Sequence, residues 1–217
     1  DEADRRMMFL ERRREDNQAF GELVIRWLQY ARTPENSARE KLVLFLQDVL
    51  VVTFQKVRQS WMVANYQEML RNMLDQPYPE VVKAASKHPA MIHFLDLNRS
   101  TRQSPNENFA RELFELFTLG EGKYSEKDIK EAARAFTGYT YAPMQDRVIV
   151  REQQHDAGVK HVFGQRERFD GDGIIDLAFE QGAAQTFLPR EFLRNYLCDE
   201  PIPEAYRSEE RRVGKEC

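Results

Sequence analysis

The chain has 217 residues, 41% of them hydrophobic, which is enough apolar material for a real core in one domain or the larger part of one. Its formal charge of −4 argues against a general nucleic-acid binder, because phosphate affinity rests on clustered Lys and Arg; only a local basic patch fits that balance. The nearest approach to the roughly 18 to 20 apolar residues of a membrane-spanning helix, Leu42 to Phe54, is interrupted by Gln47 and Asp48.

The first stretch, DEADRRMMFLERRR, does not open on methionine and has neither the apolar segment nor the small-residue cleavage site of a signal peptide, so the chain is expected to begin inside a longer protein. Asp16 to Ala31 spaces Phe20, Leu23, Val24, Trp27, Leu28 and Ala31 by three and four, an amphipathic helix that Thr33-Pro34 ends. From about Ser37 to Val52 the pattern is apolar nearly all round, which predicts a helix at the hub of the core. Helices follow at Ser60 to Leu74, Pro79 to Ser86 and Pro89 to Leu97, with methionines as adaptable core filling and His88 and His93 as structural residues. Asn98 to Gln103 is a polar connection.

Ser104 to Thr140 carries the strongest local signals. Ser104, Pro105 and Glu107 read as a helix start of the S-x-x-E kind. Gly120 suits a left-handed stop, Ser125 and Asp128 open a second helix, and Gly138 closes it. At about 100° per residue, Glu107, Asn108, Arg111, Glu112 and Glu115 share one side of the first helix, while Phe109, Leu113, Phe114, Leu116 and Phe117 share the other. In the second, Ile129, Ala132, Ala133, Ala135 and Phe136 oppose Glu126, Lys127, Lys130, Glu131 and Arg134. The prediction is an antiparallel αα-hairpin packed on its apolar faces, with the charged faces outward.

Beyond Gly138 the period turns to alternation. Tyr139 to Tyr141, Arg147 to Arg151 and Val159 to Phe163 suit short strands, and Ile174 to Glu180 and Pro189 to Cys198 return to helix. The expected fold is mainly α, a multi-helix bundle with a small antiparallel β insertion, as a single helical domain over residues 1–206. Residues 207–217, RSEERRVGKEC, resemble the translation of a standard short-read sequencing adapter and are set aside. Cys198 is then the only cysteine left, which forbids an internal disulfide.

The runs NENFARELFELFTLG, YSEKDIKEAARAFTG, HDAGVKHVFG and DGDGIID, in this order, resemble the bacterial family called "domain of unknown function 1800", over about Leu42 to Pro203. The resemblance implies export to the periplasm or secretion, often beside an envelope protein resembling sulfatases. It assigns no reaction. One departure stands out: LQDVL at Leu46 to Leu50 puts Gln47 and Val49 where the family pattern has histidines.

Three clusters are candidates for chemistry. Asn106, Asn108, Glu112 and Glu115, with Arg111 beside them, could bind a cation or divide acid and base roles; the alternative is a solvated face with ion pairs worth about 0.2–0.5 kcal/mol each. His155-Asp156, with Lys160 and His161 nearby, could supply a base or a ligand, and the resemblance supports Lys160 but not His161; the alternative is an Asp-capped turn at Asp156-Ala157-Gly158, and Arg134, on the polar face of the second helix, is a separate binding candidate. Asp170 and Asp172 could offer oxygens to calcium, but the EF-hand spacing is not met and Asp172 reads more simply as a helix cap. Nucleotide, flavin, serine-hydrolase, zincin and C-x-x-C motifs are absent, so a divalent metal is the cofactor left open. Two functions remain: a binding or scaffolding module of the envelope, and a divergent metal-assisted hydrolase using Glu112, Glu115, His155 and Asp156.

Overall fold

A computed structural model describes residues 2–145 and 147–197; Cys198 and the adapter-like tail lie outside the described residues. Among these the chain forms ten α-helices, a π-helical segment, short 3-10 turns and two antiparallel two-stranded sheets, the mainly α architecture the periodicity predicts. Contacts gather into two compact units that divide between Leu74 and Asp75.

The first unit holds α1 (Glu2–Ala31), α2 (Pro34–Val49), α3 (Phe54–Val57) and α4 (Ser60–Asn72). α1 starts well before the Asp16 expected from its apolar spacing, and Met7, Met8, Phe9 and Leu10 in its first half are exposed. α2 is the hub in part: Val43, Phe45 and Leu46 are buried, and Leu50 follows them, but Leu42 and Leu44 are 42% and 49% exposed. An all-round apolar sequence has therefore not produced all-round burial. Tyr66 on α4 sits wholly inside and its hydroxyl donates to the Leu50 carbonyl at 2.7 Å, which satisfies the one polar atom it carries inward. Phe20 stacks on Phe54 at 4.1 Å. The start of α4 is capped from α1, since the Asp16 carboxylate accepts from both the backbone N–H and the hydroxyl of Ser60.

The second unit contains α5 (Tyr78–Ser86), α6 (Pro89–Phe94), α7 (Glu107–Glu112), α8 (Glu126–Ala135), β1 (Tyr139–Ala142), β2 (Arg147–Val150), β3 (Lys160–Val162), β4 (Gln165–Glu167), α9 (Gly171–Phe179) and α10 (Ala184–Tyr196). α7 and α8 form the expected helical hairpin, with Phe109 and Phe136 at 4.6 Å and Phe109, Phe114, Phe117, Ile129, Ala132, Ala133 and Phe136 buried. Its cap lies two residues later than expected. Asn106, not Ser104, caps α7 by accepting from the Asn108 N–H, while Ser104 pairs with Thr101. Ser125 and Asp128 form the predicted capping box, and Gly120 and Gly138 adopt the predicted left-handed φ of 86° and 80°.

Past Glu112 the helix widens into a π-helical segment, Leu113–Thr118. Thr118 Oγ1 donates to the Leu113 carbonyl at 2.6 Å, and the N–H groups of Leu119 and Gly120 both reach the Phe114 carbonyl. The wider turn brings Leu113, Phe114, Phe117, Thr118 and Leu119 inward together and leaves Leu116, expected on the apolar face, 45% exposed. The β insertion is two separate hairpins rather than one sheet, β1 with β2 and β3 with β4, and the last strand was not expected. Positive φ at both Phe163 and Gly164 makes the tight turn that β3 and β4 need. α9 is capped by Asp170, not Asp172, and α10 begins at Ala184, with Pro189 inside it rather than at its start.

Candidate functional site

The residues with the strongest functional signal converge where the end of α8 meets the loop before β3. The polar side of α8, expected to face solvent, is instead the dock for that loop. Arg134 donates from Nε to Asp156 Oδ2 at 2.7 Å and from Nη2 to Oδ1 at 3.2 Å, the fork geometry that suits a carboxylate. Its Nη1 donates to Glu131 at 2.8 Å and to the Val159 carbonyl at 3.0 Å. Glu131 and Asp128 accept from the backbone N–H groups of His161 and Phe163, at 2.9 and 2.8 Å. Three acceptors or donors on one helical stripe thus hold a hairpin by its backbone.

Thr137 completes the clasp. Its hydroxyl donates to the Arg134 carbonyl at 2.7 Å and accepts from the Asp156 N–H at 2.8 Å, while its own carbonyl lies 2.9 Å from His155 Nδ1. A carbonyl can only accept, so Nδ1 carries the proton in this contact. Asp156 also closes its own turn by accepting from the Gly158 N–H. The Arg134 guanidinium holds the Asp156 carboxyl below the usual carboxylate range. Lys160 is wholly buried and donates to the carbonyls of Asp156 and Gly158, at 2.7 and 3.1 Å; burial lowers the pKa of its ammonium. Arg134, His155, Asp156 and Lys160 are therefore brought together, with the Asp156 carboxylate, the Lys160 ammonium and His155 Nδ1 engaged by Arg134 and by backbone.

The acidic residues of α7 and of the π-helical segment after it are in a different setting. Glu115 accepts a short hydrogen bond from the Tyr124 hydroxyl, whose pKa burial pushes up to about 12. Glu112 is half-buried with no hydrogen-bond partner among the described residues, and burial first, then neighbouring Glu115, raises its carboxyl above the ordinary value. Arg111 grips both oxygens of Glu126 at 2.8 Å and lies 3.6 Å from Glu107. Asn106 caps α7 and donates to the carbonyls of Leu95 and Asp96; Asn108 contributes its backbone N–H. No hydrogen bond or ion pair among the described residues joins Glu112 or Glu115 to His155 or Asp156.

Asp170 Oδ1 accepts from Gly173 N–H as a helix cap, and Asp172 pairs with Lys87. Among the described residues no three His, Cys, Asp or Glu side chains gather as a metal site. Gln47 and Val49, at the family's histidine positions, are both half-buried on α2. Sequence reading passed over Glu40, which is 1% exposed in the first unit and accepts from Arg71 Nε at 2.6 Å, Arg71 Nη2 at 2.9 Å and Trp27 Nε1 at 2.7 Å. Its signal was available: Glu40 precedes the buried Val43 by three and so shares its face of α2.

The profile of the family described as "Protein of unknown function (DUF1800)" matches residues 2–212, across both units. No curated protein and no solved structure matches the chain.

Proposed function

For a chain that belongs to the DUF1800 family, we propose a role as a binding or scaffolding module of the bacterial cell envelope, exported to the periplasm or secreted. The observation that carries this reading is the clasp: both Asp156 carboxylate oxygens are held by Arg134, Lys160 donates to two backbone carbonyls, and His155 is held at Nδ1 by the Thr137 carbonyl. Groups so engaged shape a surface rather than turn over a substrate. What the hairpin leaves for recognition is the row Glu107, Arg111 and Glu126 with exposed Leu116, a charged rim beside an apolar side chain. The partner we assign to it is an envelope protein resembling sulfatases.

One observation favours a second reading, a metal-assisted hydrolase. Glu112 is half-buried, has no partner among the described residues and has a raised pKa, as a general acid would. Two measurements separate the readings. Biolayer interferometry against the sulfatase-like envelope protein of the same source is expected to show saturable binding, weakened about tenfold or more by Arg111→Glu at unchanged melting temperature. Absence of binding overturns the scaffold. Stoichiometric zinc, manganese or calcium that disappears with Glu112→Ala and His155→Ala establishes the hydrolase instead.

A further inference from the structure

We propose that the first unit carries a binding site for a neutral carbohydrate, in the cleft between α1 and α4. The cleft has a volume of about 560 Å³ and is walled by Trp27 and Tyr30 from α1 and by Asn65, Gln67, Glu68 and Arg71 from α4. Residues spaced three and four apart on each helix put these side chains on facing stripes. The volume lies within the range of about 300–1,000 Å³ usual for small-ligand sites.

Its floor is built, not incidental. Buried Glu40 holds the Trp27 indole by its N–H and the Arg71 guanidinium by two of its N–H groups. Arg71 also donates from Nη1 to Glu68 and lies 5.8 Å from the Tyr30 ring centroid. A guanidinium has five N–H donors, so two on Arg71 stay unused by the protein among the described residues. The four contacts fix their direction before any ligand arrives, which limits the ordering cost of binding.

The chemistry selects the ligand class. Fixed donors come from Arg71, fixed acceptors from Glu68, and both kinds from the amides of Asn65 and Gln67. A hydroxyl donates and accepts at once, so a polyol can satisfy this mixture. The charges of the lining already have counterions, Arg71 in Glu40 and Glu68 and Arg26, which also lines the cleft, in Glu22 at 3.7 Å, so a neutral sugar binds without breaking an ion pair, as a charged ligand would. The indole and phenol rings offer flat apolar surface to the C–H face of a pyranose. The inference is independent of the partner proposed above, because it is read on the isolated chain with no protein partner present.

The test is saturation-transfer NMR and calorimetric titration of the full chain with cellotetraose and chitotetraose, with glucuronate as the charged control. Saturable binding of a neutral oligosaccharide is expected, weakened about tenfold or more by Tyr30→Ala and by Asn65→Ala, both exposed positions, with the melting temperature retained. No transfer to either oligosaccharide overturns the proposal. So does binding that both variants leave undiminished, or binding of glucuronate alone.

Discussion

Arg134 and Asp156, twenty-two residues apart, meet through two hydrogen bonds of 2.7 and 3.2 Å, and this pair ties the end of α8 to the loop before β3. Both side chains are mostly shielded, at 26% and 20% exposed. Removing one leaves the other poorly solvated and without its fork. Asp156→Ala is therefore expected to destabilise by about 2 kcal/mol and to lower the melting temperature by roughly 4–8 °C for a chain of this size. Hydrogen exchange should speed up at the backbone of Gly158, His161 and Phe163 while α1 to α4 stay protected. An unchanged melt would mean that the clasp does not hold the loop.

Gly138 and Gly164 separate strain from crowding. Both have positive φ, 80° and 79°, but a Cβ at Gly138 would lie 2.8 Å from the Arg151 carbonyl oxygen and 3.1 Å from the His155 N–H, whereas one at Gly164 meets nothing within 4 Å. Left-handed backbone alone costs an L-residue about 1–2 kcal/mol. Gly164→Ala should cost about that much. Gly138→Ala adds backbone contacts that cannot rotate away, and a loss of at least about 3 kcal/mol, or failure of the second unit to fold, is expected in denaturant titration. Equal losses would show that the close approach is relieved by backbone movement.

The parts of the fold legible in sequence were those set by local rules. The Ser125–Asp128 capping box and the glycine stops at Gly120 and Gly138 are decided by a few neighbouring residues, and they stand where the spacing placed them. What sequence could not show depended on distant partners. Arg134 and Glu131 looked like a solvated face because nothing local reveals that Asp156 and the His161 N–H would come to them. The π-helical turn has the same origin: at 3.6 residues per turn Leu116 falls with the phenylalanines, and only the packed core selects the wider turn that turns it outward. Spacing to Val43 puts Glu40 on the buried face of α2, but its partner Arg71, on another helix, could not be read locally.

That Glu40–Arg71 pair gives a sharp stability prediction. Arg71 in the first place holds the Glu40 carboxyl below its ordinary pKa. Because the folded pKa is depressed, this stabilisation is fully present above the unfolded value near 4.5 and is lost as pH falls through the folded value. Glu40→Leu leaves the Trp27 N–H and two of the Arg71 N–H groups without their acceptor, with only Glu68 still on Arg71, and a loss of about 3 kcal/mol is expected at neutral pH. Pairing it with Arg71→Met should restore most of that loss, since apolar replacement of both partners removes the desolvation penalty as well. A double variant no better than the single one would contradict this account.

Thr118 tests the π-helical segment. Its buried hydroxyl donates to the Leu113 carbonyl at 2.6 Å, closing the wide turn. Thr118→Val keeps the shape and deletes the donor, leaving that carbonyl to its remaining partners; a loss of about 1 kcal/mol is expected. Thr118→Ser retains the hydroxyl and should lose mainly the packing of one methyl. If the valine variant is as stable as the parent, packing of Phe114 and Phe117 alone sustains the turn.

His88 makes stability depend on mild acid. Its Nδ1 accepts from the Ala90 N–H at 3.2 Å, capping α6, and so must be unprotonated. Burial lowers its pKa from 6.5 to about 4. Between those values the unfolded chain takes up a proton that the folded chain refuses, so stability falls as pH drops from about 6.5 to about 4, by on the order of 3 kcal/mol in full. His93, also lowered by burial, acts in the same direction. Below that window the His88 contribution is already lost, and the carboxylates Asp128 and Asp156, held low in the fold, take over the acid sensitivity. His88→Asn keeps an acceptor at the cap and removes the titration. Urea unfolding at pH 7.5 and pH 5 should then show a smaller difference for the variant than for the parent; an identical difference would place the titration elsewhere.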